Sequence, residues 1–235
     1  MPSKPGIVNY IVRTGGKVLP EELLAELSID PGSDRTSAMI LSGMIAPRDE
    51  DWQSMAAHGT HFLVVGPNFS GIPEQRKDYY DMIIVADSAI DAFYDLEGCP
   101  DIIVTDLDGN PALISGCARE GSAIVVHAHG DNTAGITGIV PSLRGLILGT
   151  CQVDPPVPGL RNIGGFTDGD RSAYLADYLG ARTITLAGFD FENPAFKPGT
   201  DIARKRLKLA WAKTYLEALA VIRGRKLVRG DVIEI

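Results

Sequence analysis

The sequence predicts an α/β protein built on a doubly wound, mostly parallel sheet, and three observations support this fold class. From about residue 61, short runs of β-branched residues alternate with segments of helical periodicity. The runs are nearly continuous in apolar residues, as expected for strands that are buried on both faces of a parallel sheet. The segments between several of them are amphipathic, which is typical of helices that cover such a sheet.

Six segments are predicted as strands of this sheet, because each is a short run rich in β-branched residues that ends in small or polar residues. They are HFLVVG (61–66), MIIVAD (82–87), DIIVTD (101–106), AIVVHA (123–128), GLILGT (145–150) and TITLAG (183–188). The segment KLVRGDVIEI (226–235) is predicted to add a last strand.

Helices are predicted where apolar residues recur at spacings of three and four. Two of them, AIDAFYDLE (89–97) and DRSAYLADYLG (170–180), lie between strands, and Gly180 is placed as a stop signal. A long helix is predicted over about 200–223. Residues 1–57 contain the turn-forming TGGK and DPGSD around a short helical segment, PEELLAELS. They are predicted to form a small N-terminal subdomain ahead of an α/β domain over 58–235.

The composition, with 45% hydrophobic and 22% charged residues, is that of an ordinary soluble globular protein. The 22 Lys and Arg and 30 Asp and Glu give a net charge of −8, which disfavours a general binder of nucleic acid or anionic membranes. No signal sequence or spanning apolar run is recognised, so a cytoplasmic enzyme or binding protein is expected. Cys99, Cys117 and Cys151 lack a CxxC pattern and are expected to be free, partly buried thiols.

Small or polar residues capable of chemistry follow nearly every predicted strand. Because ligands of open parallel sheets bind at the carboxyl ends of the strands, these residues are expected to converge on one crevice. Acidic groups dominate the set, and they would repel one another without a cation such as Mg²⁺, which prefers oxygen ligands and takes up substrate phosphates. The implied substrate is therefore a nucleotide polyphosphate. The set comprises Gly66 to Ser70, Asp87 and Ser88, Asp106 and Asp108, His127 to Asn132, Thr150 to Gln152, and Asp190.

Two of these motifs also have simpler explanations. Asp106 and Asp108 belong to a residue type that commonly forms turns at strand exits. His127 and His129 lie on the same side of an extended chain. That pair would suit either a zinc ion, as in amidohydrolase barrels, or a hydrogen bond from one imidazole to phosphate or substrate. The eight βα units of such a barrel are not found in the sequence.

Two glycine-containing stretches are candidates for phosphate loops. GPNFSG (66–71) suits an anion, although it matches neither the GxxxxGK[ST] nor the GxGxxG pattern. NIGGFTDGDRSAYLA (162–176) is typical either of an ordinary capped helix, with Thr167 or Asp168 as the cap, or of a phosphate or substrate loop that includes Arg171.

The stretch DLDG (106–109) after a hydrophobic strand resembles the signature of haloacid dehalogenase phosphatases, whose first Asp is a phosphoryl-accepting nucleophile. That signature usually opens the first strand of its fold. Here it follows the third predicted strand, and the next residue is Asn110. A phosphatase therefore remains an alternative to the metal site.

An ordered set of motifs over roughly residues 34–220 resembles the catalytic domain of thiamin pyrophosphokinases. The set is still more similar to the archaeal 6-hydroxymethyl-7,8-dihydropterin pyrophosphokinases, which share that fold. The motifs are DRTSAMILSGMI, LVVGPNFSG, VADSAI, PDIIVTDLDGN, VVHAHGDN, GGFTDGDRSAYLA, AGFDF and KLAWA. The resemblance implies a Mg²⁺-dependent transferase that moves diphosphate from ATP to the hydroxymethyl group of a reduced pterin and releases AMP. The pathway that it implies is folate or tetrahydromethanopterin biosynthesis.

The resemblance also implies roles for individual residues. The catalytic metal ligands would be Asp106, Asp108 and Asp131. Nucleotide and phosphate contacts would come from Gly66, Pro67, Asn68, Ser70, Asp87, Ser88 and Arg171. The pterin ring would be contacted by residues drawn from His129, Asn132, Gln152, Phe166, Asp168 and Asp170. Lys205 and Lys208, on the long C-terminal helix, are assigned to a solvated face.

Three alternatives remain open at this stage: a thiamin diphosphokinase, a haloacid dehalogenase-like phosphatase and a nucleotide-binding domain without catalysis. Thiamin is the second choice of acceptor, because the C-terminal β-sandwich of that family has no room after residue 190. A homodimer is predicted because related diphosphokinases commonly pair, and neither nucleic acid nor a membrane is expected as a partner.

Overall fold

A computed structural model of the chain describes residues 5–45, 49–56, 60–72, 74–191, 201–229 and 233–235. Its centre is an eight-stranded sheet in the order β5-β4-β3-β2-β1-β6-β8-β7. The strands are β1 (His61–Val65), β2 (Met82–Ala86), β3 (Ile102–Thr105), β4 (Ala123–Ala128), β5 (Ile147–Cys151), β6 (Thr183–Ala187), β7 (Val228–Arg229) and β8 (Ile233–Glu234). The six predicted strands are confirmed as β1 to β6, and they pair in parallel.

The order of the strands contains one reversal, which determines where a ligand crevice forms. From β1 the chain proceeds outward through β2, β3, β4 and β5, and then returns to place β6 on the other side of β1. The loops after β1 and β6 therefore diverge to opposite faces of the sheet, and such a switch point leaves a crevice at the carboxyl ends of the strands.

The C-terminal segment forms two short strands where the sequence predicts one. β8 pairs antiparallel with β6, and β7 pairs antiparallel with β8. The backbones of Ile184 and Ile235 exchange two hydrogen bonds, of 3.2 and 3.0 Å, at the start of this pairing. Antiparallel neighbours need only a tight connection, so ten residues suffice for both strands.

Nine helices lie in the described part of the chain: α1 (Pro5–Thr14), α2 (Glu21–Leu27), α3 (Pro31–Met44), α4 (Asp49–Ala56), α5 (Ile90–Glu97), α6 (Pro111–Glu120), α7 (Thr133–Ile139), α8 (Asp168–Tyr178) and α9 (Ile202–Ile222). The helices predicted around residues 89–97, 170–180 and 200–223 are confirmed. Gly180 follows α8 with a φ of +88°, as expected for a helix stop. Among the described helices, none combines the length and the apolar character that crossing a bilayer requires.

Alternate residues of the strands supply two hydrophobic cores, one on each face of the sheet. Phe62 and Val64 of β1 lie in the core shared with α1, α8 and α9, whereas Leu63 and Val65 lie in the core shared with α3, α5 and α6. Because the side chains of a strand alternate between faces, a continuous apolar run is needed to fill both cores.

The N-terminal helices pack against these same cores. Leu23 and Leu27 of α2 and Trp52 of α4 belong to the first core, and Ala38 and Leu41 of α3 belong to the second. The division into an N-terminal subdomain (1–57) and an α/β domain (58–235) stays a prediction, and residue 57 itself lies outside the described residues. The first four helices are in contact with both faces of the sheet.

The cysteine prediction is wrong for two of the three residues. Cys99, just after α5, and Cys117, in α6, form a disulfide with their Cα atoms 5.3 Å apart. Eighteen positions separate them, and their proximity follows from the packing of α5 and α6 on one face of the sheet. Cys151 is the free, buried thiol that the sequence predicts. Spacing along the chain does not reveal a pairing that is made by two adjacent crossover helices.

Candidate active site

An acidic cluster lies at the carboxyl ends of β2 and β3. Asp87, Asp106 and Asp108 each place a carboxylate oxygen within 4.8 Å of the others. The three residues meet because β2 and β3 are parallel neighbours, with Ala86 opposite Val104, so their exits lie side by side. Sequence reasoning placed Asp131 in this cluster, but it lies on the loop after β4, is exposed and does not belong to the group.

The turn that carries two of these carboxylates has an unusual backbone. Leu107, between Asp106 and Asp108, adopts a φ of +70°, a region that branched side chains rarely occupy. Its side chain is buried, and its amide donates to the Thr105 hydroxyl at 2.8 Å. The core contact and the hydrogen bond together hold this strained turn, and strain of this kind is typical of functional sites.

Asp87 has the properties of a cation ligand. The Thr105 hydroxyl donates to its Oδ2, whereas its buried Oδ1 has no hydrogen-bond partner among the residues that the structure describes. A Cβ built on Gly109 would lie 1.6 Å from this Oδ1, so only glycine fits there. Burial raises the pKa of Asp87 to about 6, and the negative charges of Asp106 and Asp108 add to the effect. A buried, unpaired carboxylate oxygen in an all-oxygen set fits a hard divalent cation.

Asp106 stays ionised more readily than its burial suggests. Burial by itself would raise its pKa, but the hydrogen bond and charge of His129 and the hydrogen bonds of Asp108 hold the pKa below its usual value. The His129 Nε2 atom lies 3.3 Å from the Oδ2 atom of Asp106. This contact joins the loop after β4 to the acidic cluster.

Asn132 fixes the position of that loop. Its Oδ1 accepts from the His129 amide at 3.0 Å, and its Nδ2 donates to the carbonyl oxygens of Asp106 and His127 at 2.9 and 2.6 Å. The three hydrogen bonds use the polar atoms of a buried side chain that does not line the adjacent cavity. The predicted contact of Asn132 with substrate is therefore not supported, and the residue positions His129 instead.

A cavity of about 290 Å³ opens beside the acidic cluster. It brings together eleven of the predicted site residues, which are Pro67, Asn68, Ser88, Asp106, Asp108, His129, Asp131, Gln152, Phe166, Asp168 and Arg171. Five others are not among its lining residues, namely Gly66, Ser70, Asp87, Asn132 and Asp170. Of these five, Asp87 still belongs to the site through the acidic cluster.

The loop after β1 does not present free backbone donors at the positions that the sequence suggested. The Gly66 amide donates to the Ala187 carbonyl at 2.8 Å, and the Asn68 amide donates to the Gly188 carbonyl at 3.0 Å. A Cβ on Gly66 would lie 2.9 Å from the Gly188 oxygen, so glycine is needed for this close approach of two loops. The predicted phosphate contact by these amides is not supported, and Ser70 is exposed outside the cavity.

The glycine-rich segment before α8 proves to be both a capped helix and a cavity wall. Thr167 and Asp170 form a capping box, in which Asp170 accepts from the Phe166 and Thr167 amides at 2.5 and 2.8 Å. Asp170 is fully buried and its carboxylate is occupied by the cap, so the predicted contact with substrate is not supported. Phe166 and Asp168, in the same segment, do line the cavity.

Arg171 brings a buried positive charge to this wall. The side chain is 2% exposed, and its guanidinium donates to Asp168 Oδ1 at 3.2 Å and to the Phe166 carbonyl at 2.8 Å. Burial raises the pKa of Asp168 well above its usual value, the charge of Asp106 adds to this, and Arg171 opposes it. The acidic side chains here are close enough to influence one another, which strengthens the argument for a cation among them.

Sequence reasoning missed several cavity residues. Lys205 and Lys208, which were assigned to a solvated face of α9, line the cavity together with Arg204. The signal was their spacing, because positions 204, 205 and 208 share one face of a helix. Asp34 of α3 and His127 of β4 also line the cavity. The sequence offered no signal for Asp34, which lies 72 positions before Asp106 along the chain.

Comparison with known proteins agrees with this geometry. The family described as "6-hydroxymethylpterin diphosphokinase MptE-like" matches residues 70–195, which is more than half of the chain. Proteins named 6-hydroxymethyl-7,8-dihydropterin pyrophosphokinase are also similar. The one from Methanocaldococcus jannaschii is 34% identical over 226 residues, which cover 86% of this chain and 93% of that protein.

Two further archaeal proteins of that name are similar. The one from Pyrococcus furiosus is 34% identical over 206 residues, covering 81% of this chain and 87% of that protein. The one from Methanothermobacter thermautotrophicus is 42% identical over 146 residues, covering 58% and 62%. The resemblance inferred from the sequence motifs is thereby confirmed, and the chain belongs to the MptE-like family of 6-hydroxymethylpterin diphosphokinases.

Proposed function

We propose that the protein transfers a diphosphate group from ATP to 6-hydroxymethyl-7,8-dihydropterin and releases AMP, as a step in folate or tetrahydromethanopterin biosynthesis. The family and the names of its relatives support the reaction. The observation that carries the proposal is the acidic cluster of Asp87, Asp106 and Asp108, with cationic side chains on the same cavity. A metal-bound polyphosphate needs both features, because its charge exceeds what one cation neutralises.

Mg²⁺ is the cation that we assign to the cluster. Asp87, Asp106 and Asp108 would hold it, and the unpaired Oδ1 of Asp87 and the all-oxygen donor set support this choice. When bound, Mg²⁺ neutralises negative charge on the phosphate oxygens of ATP. His129, which contacts Asp106, and Asn132, which fixes His129, keep the cluster in its arrangement.

The cationic residues of α9 are proposed as contacts of the polyphosphate. Arg204, Lys205 and Lys208 line the cavity, and Arg204 is steadied by its donation to the Leu27 carbonyl at 3.1 Å. Charge-assisted hydrogen bonds from lysine and arginine are the usual partners of phosphate oxygens. In a chain with a net charge of −8, such local donors are what attracts an anionic substrate.

The chemistry requires no covalent intermediate with the protein. The hydroxymethyl oxygen of the pterin attacks the β-phosphorus of ATP, and the bond from that phosphorus to the oxygen bridging to the α-phosphate breaks. The hydroxyl proton is lost, and AMP carries away the bridging oxygen. The protein contributes orientation, because attack and departure must lie roughly in line.

The product of ATP distinguishes this proposal from its alternatives. The protein is incubated with ATP, Mg²⁺ and either the hydroxymethyl-dihydropterin or thiamin, and AMP, ADP and inorganic phosphate are measured. We expect AMP with the pterin only, and its loss in Asp106→Asn, whereas Asp95→Asn, an exposed change on α5, keeps full activity. Thiamin turnover would identify a thiamin diphosphokinase. Phosphate trapped on Asp106 would identify a phosphatase, and no turnover would favour a silent binding domain.

A further inference from the structure

One group in the cavity has an unmet hydrogen-bonding capacity that the reaction at the acidic cluster does not use. His127 lines the cavity and is 2% exposed, and its Nε2 atom has no hydrogen-bond partner in the described part of the chain. Its other ring nitrogen, Nδ1, lies 3.0 Å from the Thr150 hydroxyl. A buried imidazole nitrogen without a partner is costly, and a ligand that pairs with it removes this cost.

The surroundings determine which kind of partner His127 requires. The Thr150 hydroxyl donates to the Val126 carbonyl at 3.4 Å, so its oxygen accepts from Nδ1–H of the imidazole. Burial lowers the pKa of His127 well below its usual value, with contributions from the charges of Arg171 and His129, so the ring is neutral. In that tautomer Nε2 carries a lone pair and no proton, and it requires a donor.

Two neighbouring side chains in the cavity are also acceptors. Asp34 is buried; its Oδ1 accepts from the Gly130 amide at 2.7 Å and its Oδ2 from the Gln152 amide nitrogen at 2.6 Å. Each carboxylate oxygen has capacity for one more donor. Because a carboxylate accepts only, the nitrogen of Gln152 must face Asp34, and its carbonyl oxygen is the atom left to contact a ligand. Gln152 also lies beside His127, where its amide opposes the lowered pKa of the ring.

Resting on the function proposed above, we propose that Asp34, His127 and Gln152 form the subsite that binds the donor edge of the acceptor ring. We call these three residues the acceptor triad. A 2-amino-4-oxopyrimidine ring presents its N3–H and its 2-amino group along one edge, which matches a set of acceptors. The adenine of ATP offers one exocyclic amino group and otherwise acceptors, so it matches the triad poorly.

The position of the triad suits the reaction. The His127 and His129 rings are stacked with their centroids 6.0 Å apart, and the Nε2 atom of His129 contacts Asp106. The triad therefore lies one ring further from the acidic cluster than His129. A bicyclic pterin that is held at its pyrimidine edge would extend its hydroxymethyl group from the opposite end of the ring system, toward the phosphates held at the cluster.

The inference is tested with a ring that differs at one group of this edge. Fluorescence titrations compare 6-hydroxymethylpterin with 6-hydroxymethyllumazine, in which an oxygen replaces the 2-amino group. We expect the wild-type protein to prefer the pterin by at least about tenfold, because the lumazine oxygen would face an acceptor. Asp34→Asn, whose amide can donate, should abolish or reverse this preference, whereas the exposed Asp95→Asn should keep it.

Turnover provides the second measurement. His127→Phe and Gln152→Leu should raise the KM for the pterin about tenfold while the KM for ATP stays within twofold, and His61→Asn, at the opposite end of the strands, should change neither. An unchanged KM for ATP also shows that the variants are folded, so these two substitutions test the triad even if Asp34→Asn does not fold.

The possible failures are distinguishable. An active wild-type enzyme whose folded triad variants keep the full ring preference and the wild-type KM would overturn the subsite alone. A wild-type protein that forms no AMP and binds neither ring would overturn the proposed function, and the subsite with it. Binding of the pterin with the expected preference, but without AMP formation, would retain the subsite and remove the diphosphokinase reaction.

Discussion

At the scale of single residues, Asp87 is buried next to two other carboxylates, so its ionised form is unfavourable unless a cation lies beside it. Its pKa is raised to about 6 from the usual 3.8. A raised carboxyl pKa means that the folded state binds the proton more tightly than the unfolded state. The metal-free protein therefore loses stability as pH rises from about 4 through about 6.

Asp87→Asn should accordingly stabilise the metal-free protein and inactivate the enzyme. We expect the free energy of unfolding in EDTA at pH 7 to rise by about 2 kcal/mol, and this gain to vanish near pH 4. Metal-dependent AMP formation should be lost. Urea unfolding at the two pH values measures the first effect, and a variant less stable than wild type at pH 7 in EDTA would contradict the argument.

Gly109→Ala tests the close contact behind Asp87. The added Cβ would lie 1.6 Å from the Asp87 Oδ1, so the carboxylate or the turn must move. We expect at least a hundredfold loss of AMP formation, because the ligand geometry of Mg²⁺ tolerates little displacement. Gly116→Ala in α6, where an added Cβ meets nothing within 4 Å, is the matched control and should be active and slightly more stable. Full activity of Gly109→Ala would argue against Asp87 as a ligand.

The residues of the site were predictable only where the chain itself brings them together. Asp106 and Asp108 are two positions apart at a strand exit, so their joint role follows from the sequence. The third member of the cluster depends on which strand lies beside β3. Sequence reasoning took Asp131, after β4, whereas the structure supplies Asp87, after β2. Both strands flank β3, and no local signal distinguishes them.

At the scale of elements, α9 shows how helical periodicity leaves a face unassigned. The helix was predicted over its whole length, but its lysines were placed in solvent, because long charged side chains usually are. Which face of the helix meets the cavity is set by the packing of α9 against α1 and α8. That information is tertiary, so the cationic wall could not be derived from α9 itself.

The double substitution Lys205→Gln with Lys208→Gln tests this wall. We expect the KM for ATP to rise about tenfold or more, since two charge-assisted contacts to phosphate are lost, while the KM for the pterin stays unchanged. Arg206→Gln, an exposed neighbour that does not line the cavity, should behave as wild type. Steady-state kinetics with one substrate varied at a time separates the two constants, and an unaltered KM for ATP would return these lysines to the solvated face.

The Cys99–Cys117 disulfide provides a test at the level of α5 and α6. The bond closes a loop across 18 positions, for which loss of the cross-link costs about 3 kcal/mol. Cys99→Ser should lower the free energy of unfolding by about this amount in oxidising buffer. Wild-type protein treated with a reductant should fall to the same value, and the variant should not respond to the reductant. Equal stabilities throughout would show that the bond contributes nothing in solution.

At the scale of the whole molecule, the sequence was sufficient for the parallel strands and insufficient for their order. Each strand of the central sheet is a short apolar run whose character is local. The order depends on which surfaces the crossover helices bury, and the antiparallel β7 and β8 at the end depend on the edge that β6 leaves open. The polar strand ends nevertheless predicted one crevice, because parallel strands share an edge whatever their order.

Self-association is a prediction that belongs to this scale. We expect a homodimer, as related diphosphokinases commonly pair, and light scattering at several concentrations would report its mass. A monomeric mass at all concentrations that also support full AMP formation would contradict this expectation. The measurement needs no substitution, so it is independent of every assignment within the site.

The cavity has walls from distant parts of the chain: Asp34 from α3, the strand ends of the central sheet, and Lys205 and Lys208 from α9. During synthesis on a ribosome, the sheet emerges well before residue 222, where α9 ends. A nascent chain that already contains every metal ligand therefore still lacks the wall that receives the phosphates. The enzyme becomes competent in one late step, and no shorter product of translation can consume ATP on its own.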